Sequence, residues 1–177
     1  EYLDVQGMTN IESLDLSNHK YFKTLKAKGS GISSATFAKG APVERLELPS
    51  VMRALNLNQL PHLTSGNIAF EDISNLAIIN VSSCPNISNN FGFVYNWFTR
   101  KTTANKSCSL VMDNVIWENV DSELFLNLCD LKLGGGNLEL KGKVSIPNAT
   151  IEVVNAINEI FGETAFLPDS ELYIEIP

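Results

Sequence analysis

The sequence predicts an α/β fold, a solenoid in which coils made only of short strands are followed by coils that also contain helices. The first observation is an apolar–polar–apolar triplet that recurs about every eleven residues through the first half of the chain. The second is the turn-forming sequence between triplets, such as Ser17-Asn18 and the glycines of 29–31. The third is helical periodicity, which appears only after residue 90.

Eight triplets form the repeat. Because side chains alternate between the two faces of a strand, each triplet directs two apolar side chains inward and its central side chain outward. Two strands and two corners make a coil of about 22 residues. Unrelated short strands in a β-sandwich are the alternative, since they produce similar spacing. The triplets begin at Leu3, Leu14, Leu25, Ala35, Leu46, Leu55, Ile68 and Ile79, at intervals of 11, 11, 10, 11, 9, 13 and 11 residues.

Parts of this repeat fit the pattern L-x-x-L-x-L-x-x-N/C. Three segments match its apolar positions and place Cys84, His19 and Val51 in the ladder position that the pattern gives to Asn or Cys. Residues 1–90 therefore resemble irregular leucine-rich-repeat proteins. For His19 we expect a side chain that bonds the backbone of a corner.

Residues 91–177 are predicted to form longer, helix-containing coils, continuous with the first ones. "NNFGFVYNWFTRK" and "DSELFLNLCDLK" have helical periodicity, the second with Asp121 or Ser122 as its cap. "SLVMDNVIW", "NLELKGKVSIP" and "ELYIEIP" indicate strands, with a bulge or kink at Gly142.

A further helix is predicted to begin at Asn148 and to end at Gly162. Its buried stripe is predicted to contain Ile151, Val154, Ile157 and Phe161.

The order of elements at the C-terminal end carries a second resemblance. A strand, "LKGKVSIP", is followed by a helix ending in "IFG" and by a strand, "LYIEIP". This unit is similar to those of long repeat-bearing surface proteins of gut bacteria and of structural proteins of their phages. The resemblance implies a non-catalytic role in a large extracellular, cell-surface or virion assembly.

The distribution of charge along the chain restricts the classes of partner that it is expected to bind. The net charge is −7, and residues 113–177 hold three Lys/Arg against twelve Asp/Glu, so they repel a polyanion. The basic cluster, which lacks interleaved aromatic residues, is interpreted as a solvated face, and we expect no nucleic-acid partner. Its members are Lys20, Lys23, Lys26 and Lys28.

No apolar run approaches the ~18 residues that span a bilayer, so we expect no membrane insertion. The opening residues have neither a basic start nor an apolar stretch, so no signal peptide is expected in them. The absence of an initial Met suggests a processed protein or an excised domain.

Residues that could carry chemistry do not form a recognisable arrangement. The three cysteines contain no C-x-x-C pair, and His62 is expected to be a surface residue. In "LGGGNLELKGKVS", Asn137 and Val144 stand where a phosphate-binding loop requires Gly and Ser or Thr. We therefore predict a protein that is not an enzyme, with no catalytic residues, cofactor or metal site.

The outward positions of the triplets are the predicted binding surface. Alternate triplets place their central residues in two rows, one with Asp4, Lys26, Glu47 and Ala69, and one with Asp15, Thr36, Asn56 and Asn80. The second row carries uncommitted polar side chains that suit a protein or glycan ligand.

An aromatic cluster provides the other candidate surface. Phe91, Phe93, Tyr95, Trp97 and Phe98 are too many for one helix face, so we expect some of them to be exposed or to contact another subunit, with Trp97 as the candidate contact. The sequence thus favours a structural or interaction module of a larger assembly, with protein partners or neighbouring subunits. A free-standing domain that recognises protein or glycan is the alternative.

Overall fold

The structure, a computed structural model, describes residues 1–99 and 108–177, with side chains for residues 1–96 and 108–177. The chain divides into two compact units, Glu1–Ile87 and Ser88–Pro177. Helices accompany the strands, which confirms the predicted α/β class. All strand pairings given by the described residues are parallel.

The first unit contains two sets of parallel strands, and the chain alternates between them from one strand to the next. The strands are β1 (Tyr2–Asp4), β2 (Ser13–Leu16), β3 (Thr24–Lys26), β4 (Ser34–Phe37), β5 (Arg45–Leu48), β6 (Ala54–Asn56), β7 (Ile68–Phe70) and β8 (Ile78–Asn80). The first sheet has the order β1-β3-β5-β7, and β2, β4, β6 and β8 lie side by side in the second. A 3₁₀ turn, Ser65–Asn67, precedes β7, and the short helix α1, Pro85–Ser88, follows β8.

The register of these strands aligns the eight triplets in two columns. In the first sheet Leu3 pairs with Leu25, Leu25 with Leu46 and Leu46 with Ile68. In the second sheet the corresponding column contains Leu14, Ala35, Leu55 and Ile79. Parallel pairing of every second strand excludes the β-sandwich alternative, in which the sheets are antiparallel.

Apolar residues of both sheets form the core of this unit. Leu25, Leu46 and Leu55 are at most 1% exposed, and the third residues of their triplets are buried as well. Full burial of one such side chain contributes about 1.5–3 kcal/mol. Burial of these apolar side chains is thus the main stabilising contribution in the first unit, and it occurs at the triplet positions that the alternating pattern predicts.

Glu47 departs from the predicted pattern. As the central residue of its triplet it was expected to face solvent, yet the residue is only 7% exposed. Its carboxylate accepts a hydrogen bond from Arg45 Nε at 2.9 Å and lies 2.9 Å from Arg45 Nη2. The two-pronged contact with the guanidinium replaces water around the carboxylate.

The second unit is built from strands connected by helices. After helix α2 (Phe91–Thr99), its elements are β9 (Ser109–Trp117), α3 (Ser122–Leu133), β10 (Asn137–Ser145), α4 (Ile151–Phe161), a 3₁₀ turn (Glu163–Phe166) and β11 (Leu172–Glu175). The sheet has the order β11-β10-β9, and Leu138 of β10 pairs with Leu110 of β9.

Side-chain caps explain where α2 and α3 begin. The Asp121 carboxylate accepts hydrogen bonds from the backbone N–H groups of Glu123 and Leu124, so one of the two predicted caps of α3 is confirmed. Asn90 accepts a hydrogen bond from Phe93 N–H at the start of α2. Each bond satisfies a donor that the first helical turn leaves without an intrahelical partner.

The predicted start of α4 is wrong, and of the four residues in its predicted buried stripe only Ile157 is buried. The helix begins at Ile151 behind Thr150, which caps it, and not at Asn148. Its buried residues are Val153, Ala156 and Ile157, whereas Ile151 is 66% exposed. Apolar residues occur on more than one side of this helix, so its periodicity is compatible with two different buried stripes. The stripe that is buried in the structure contains the small residue Ala156.

Gly142 interrupts the pairing of β10 with β9. The register shifts between Leu140 and Gly142, and Gly142 has φ +127°. A Cβ atom at this position would lie 2.2 Å from the carbonyl oxygen of Val115. Only glycine permits this approach of the two strands, which confirms the predicted bulge or kink.

Gly142→Ala is expected to lower the free energy of unfolding of the second unit by about 3 kcal/mol, because it combines backbone strain with a clash against Val115. Urea unfolding followed by tryptophan fluorescence measures the change, since Trp97 and Trp117 both belong to this unit. Gly92→Ala is the matched control, because the nearest atom to its added Cβ, Asn90 Oδ1, lies at an ordinary 3.6 Å. Equal urea midpoints for the two variants would contradict this account.

Candidate binding surface on the second sheet

Four polar residues form a line across β2, β4, β6 and β8. Asp15 pairs in register with Thr36, Thr36 with Asn56, and Asn56 with Asn80. The first three are exposed and Asn80 is half-buried. Neighbouring strands are about 4.8 Å apart, so residues far apart in sequence become adjacent. We call these four residues the polar row; their placement in one line is as predicted.

Three members of the polar row also shape the corners that follow their strands. Asp15 accepts a hydrogen bond from Ser17 N–H at 2.9 Å, Asn56 from Asn58 N–H at 3.0 Å, and Asn80 from Ser82 N–H at 2.9 Å. These are Asx turns, in which a side-chain oxygen accepts from the backbone two residues later. Local turn chemistry therefore explains why Asp or Asn occupies these positions.

The turns leave a particular set of atoms for a ligand. Because Oδ1 of Asn56 and of Asn80 accepts the turn hydrogen bond, the Nδ2 group of each amide is the part that has no hydrogen-bond partner among the described residues. At the first strand, hydrogen bonds from the Ser17 hydroxyl and backbone N–H hold the pKa of the Asp15 carboxyl below its usual value. Asp15 is therefore the anionic end of an otherwise neutral row.

A pocket of about 410 Å³ adjoins the polar row where β2, β4 and β6 end. Lys20 and Lys39 line it, both are exposed, and neither forms an ion pair with a described residue. The remaining lining residues are Ser17, Thr36, Phe37, Ala38, Asn56 and Asn58. The pocket thus extends half of the polar row with two positive charges.

Lys20 could be identified from the sequence as a member of the basic cluster, but Lys39, the second lysine of the pocket, could not. The basic cluster does not stay together: Lys23 Nζ lies 2.8 Å from the Glu44 carboxylate, and Lys26 lies over the ring of Tyr2 at 5.7 Å. Lys39 belongs to no run of charge, and its relation to Lys20 follows only from the pairing of β2 with β4. A comparison of the segments that follow alternate triplets, rather than of adjacent residues, could have identified this pair of lysines.

The outward row of the first sheet is a weaker candidate. Glu47 is buried against Arg45, and Lys26 lies over the ring of Tyr2. Its charges are thus largely compensated within the sheet, which leaves Asp4 and Ala69 as its exposed members. The second sheet offers more uncommitted polar groups.

The Trp97 side chain lies outside the described residues, although its backbone belongs to α2. Two other rings of the aromatic cluster pack within the second unit. Phe91 lies edge-on to Trp117, with ring centroids 4.9 Å apart, and 5.9 Å from Tyr95. These two rings are therefore covered in part by their own unit.

The cysteines are buried and do not adjoin a histidine in any described contact. Burial, with a smaller contribution from Asp130, raises the pKa of the Cys129 thiol to about 12, so the thiol is protonated at neutral pH. Cys84 Sγ accepts a hydrogen bond from Leu60 N–H and contacts the Leu57 carbonyl oxygen. This sulfur thus serves as the hydrogen-bond acceptor for the buried backbone N–H of Leu60.

The histidines lie at the surface. The His19 ring lies 3.2 Å from the Glu1 carboxylate, so the prediction that this side chain bonds corner backbone is wrong, because an exposed carboxylate competes for the ring. His62 is exposed, as predicted. Within the described residues, no three His, Cys, Asp or Glu side chains are grouped as ligands for a metal ion.

Asn56→Ala is expected to lower the free energy of unfolding of the first unit by about 1 kcal/mol, because Asn58 N–H loses its acceptor. Asn56→Asp keeps an oxygen at that position and should change the stability much less. Urea unfolding followed by far-UV circular dichroism compares the two variants. If both lost the same stability, the Asx turn would not be the structural role of Asn56.

No helix within the described parts of the chain has the length and apolar composition to cross a bilayer. Comparison with models of protein families, with curated proteins and with solved structures gave no match.

Proposed function

We propose that this chain is a non-catalytic interaction module of a larger extracellular, cell-surface or virion assembly, and that its first unit is a leucine-rich-repeat-like solenoid. The solenoid interpretation is supported by the in-register columns, in which the chain returns to the same sheet after 20–24 residues. The bond from Leu60 N–H to Cys84 supports it as well, since Cys84 occupies the ladder position of the repeat.

The polar row is the observation that carries the proposal. Four successive strands of one sheet each contribute a polar side chain at the same position, on a backbone held by parallel pairing. Repeat proteins bind partners across such rows because each coil supplies one contact and the scaffold is rigid. The ligand is a protein surface or a glycan that can lie along the line.

A matched pair of variants tests whether the polar row is the binding surface. Thr36→Glu and Ala69→Glu each place a carboxylate at an exposed triplet centre, one per sheet. A glycan array and a panel of purified extracellular proteins are screened, and every ligand is then measured by biolayer interferometry. We expect Thr36→Glu to weaken a bound ligand at least about tenfold and Ala69→Glu to leave it within about twofold.

Two results would contradict the proposal. One is a ligand whose binding depends on Ala69 but not on Thr36, which would move the surface to the first sheet. The other is the absence of any ligand that distinguishes the two variants.

A structural role within an assembly is the second candidate, and it is favoured by the edge of β11. This strand ends the sheet of the second unit, with β10 on one side and no described strand paired on the other. An open edge presents backbone N–H and C=O groups to which another strand can bond.

Light scattering behind size-exclusion chromatography tests the structural role. If copies of the chain associate, the molar mass should exceed the 19.4 kDa of one chain and rise with concentration. A mass of 19.4 kDa at every concentration would leave no role for self-association and would favour the free-standing module.

A further inference from the structure

The polar row and the adjoining pocket present mainly hydrogen-bond donors. The Oδ1 atoms of Asn56 and Asn80 each already accept one turn hydrogen bond, whereas both N–H donors of each side-chain amide have no partner among the described residues. An ammonium group donates hydrogen bonds and accepts none, and two of them, on Lys20 and Lys39, line the pocket beside Asn56. Such a surface favours a ligand rich in acceptors over one with balanced donors and acceptors.

The charges indicate that some of those acceptors are anionic. Lys20 and Lys39 follow adjacent strands and have no acidic partner among the described residues, whereas Lys23 and Arg45 of the same unit are paired with Glu44 and Glu47. Asp15 is the acidic group that pairs in register with Thr36 at the row's end. An anion is therefore favoured between the two lysines and disfavoured over Asp15.

The shape of the site points to a chain of sugars. The pocket continues into a row with one polar group per strand, and the strand spacing of about 4.8 Å is close to the length of one pyranose unit in a linear polysaccharide. The aromatic residue in the pocket lining, Phe37, is only 5% exposed. It thus offers no platform on which a nucleobase could stack.

From these observations we infer that the polar row and the Lys20–Lys39 pocket bind a linear acidic polysaccharide through its carboxylate or sulfate groups. This inference rests on the proposed function and names the ligand class of the same surface. The net charge of −7 makes general attraction to a polyanion unfavourable. Binding of such a polymer would therefore report a local site.

Polygalacturonate oligomers, dextran sulfate, polyphosphate and neutral dextran are the probes, measured by biolayer interferometry with the full chain. We expect polygalacturonate or dextran sulfate to bind, with an affinity that falls as salt rises, and neutral dextran not to bind. The response to the two anionic polysaccharides distinguishes carboxylate from sulfate recognition.

The double variant Lys20→Gln/Lys39→Gln is expected to weaken binding of the acidic polysaccharide at least about tenfold. The control Lys28→Gln/Arg53→Gln removes the same charge from residues that do not line the pocket and should change the affinity less than about twofold. Asn56→Asp keeps the turn oxygen but adds a negative charge within the pocket, and it should weaken binding by a comparable factor. Circular dichroism checks that each variant is folded.

Failure to bind either acidic polysaccharide would overturn the inference, as would equal binding of polyphosphate or an equal loss in the control variant. If a neutral glycan or a protein bound instead, and Thr36→Glu abolished that binding, the proposed function would stand while this inference fell. If no ligand depended on Thr36, both would fall.

Discussion

Parallel backbone pairing between strands that are 20–24 residues apart is the constraint on which the first unit depends. Because side chains alternate along a strand, a slip of one residue would exchange the core and the surface. The segments between strands therefore absorb every difference in the sequence separation of paired strands. From Leu55 to Ile79 the chain adds residues and forms the turn Ser65–Asn67, yet the next column position is kept. The core, the polar row and the pocket all depend on this in-register pairing of every second strand.

Most of the first unit could be predicted from the sequence because the patterns that indicate its strands and turns are local. Period-two alternation and turn-forming residues are short-range properties, so strand positions and row membership could be predicted from them. Burial of Glu47 depends on the conformation of Arg45, and the pocket depends on two lysines on adjacent strands. Neither relation exists within a short window of sequence. The face that α4 buries was equally undetermined, because several of its residues are apolar.

The residues of the polar row have an observed structural role beside the binding role that we propose for them. Their oxygens close turns, which explains why Asp or Asn occurs there in any functional context. Under the proposed function, their remaining groups define what the surface can bind. A structural reason for a residue therefore does not exclude a functional one, since different atoms of a single amide can carry the two roles.

Asn and Asp differ at one terminal atom, and both can close the same turn. Along the row, the chain already uses Asp at the first strand and Asn at the third and fourth. Each of these positions can therefore change between a donor and a negative charge without altering the turn that follows its strand. If the polar row binds a ligand as proposed, variation at these positions would let related chains diverge in ligand preference one strand at a time, while the strands that hold them stay the same.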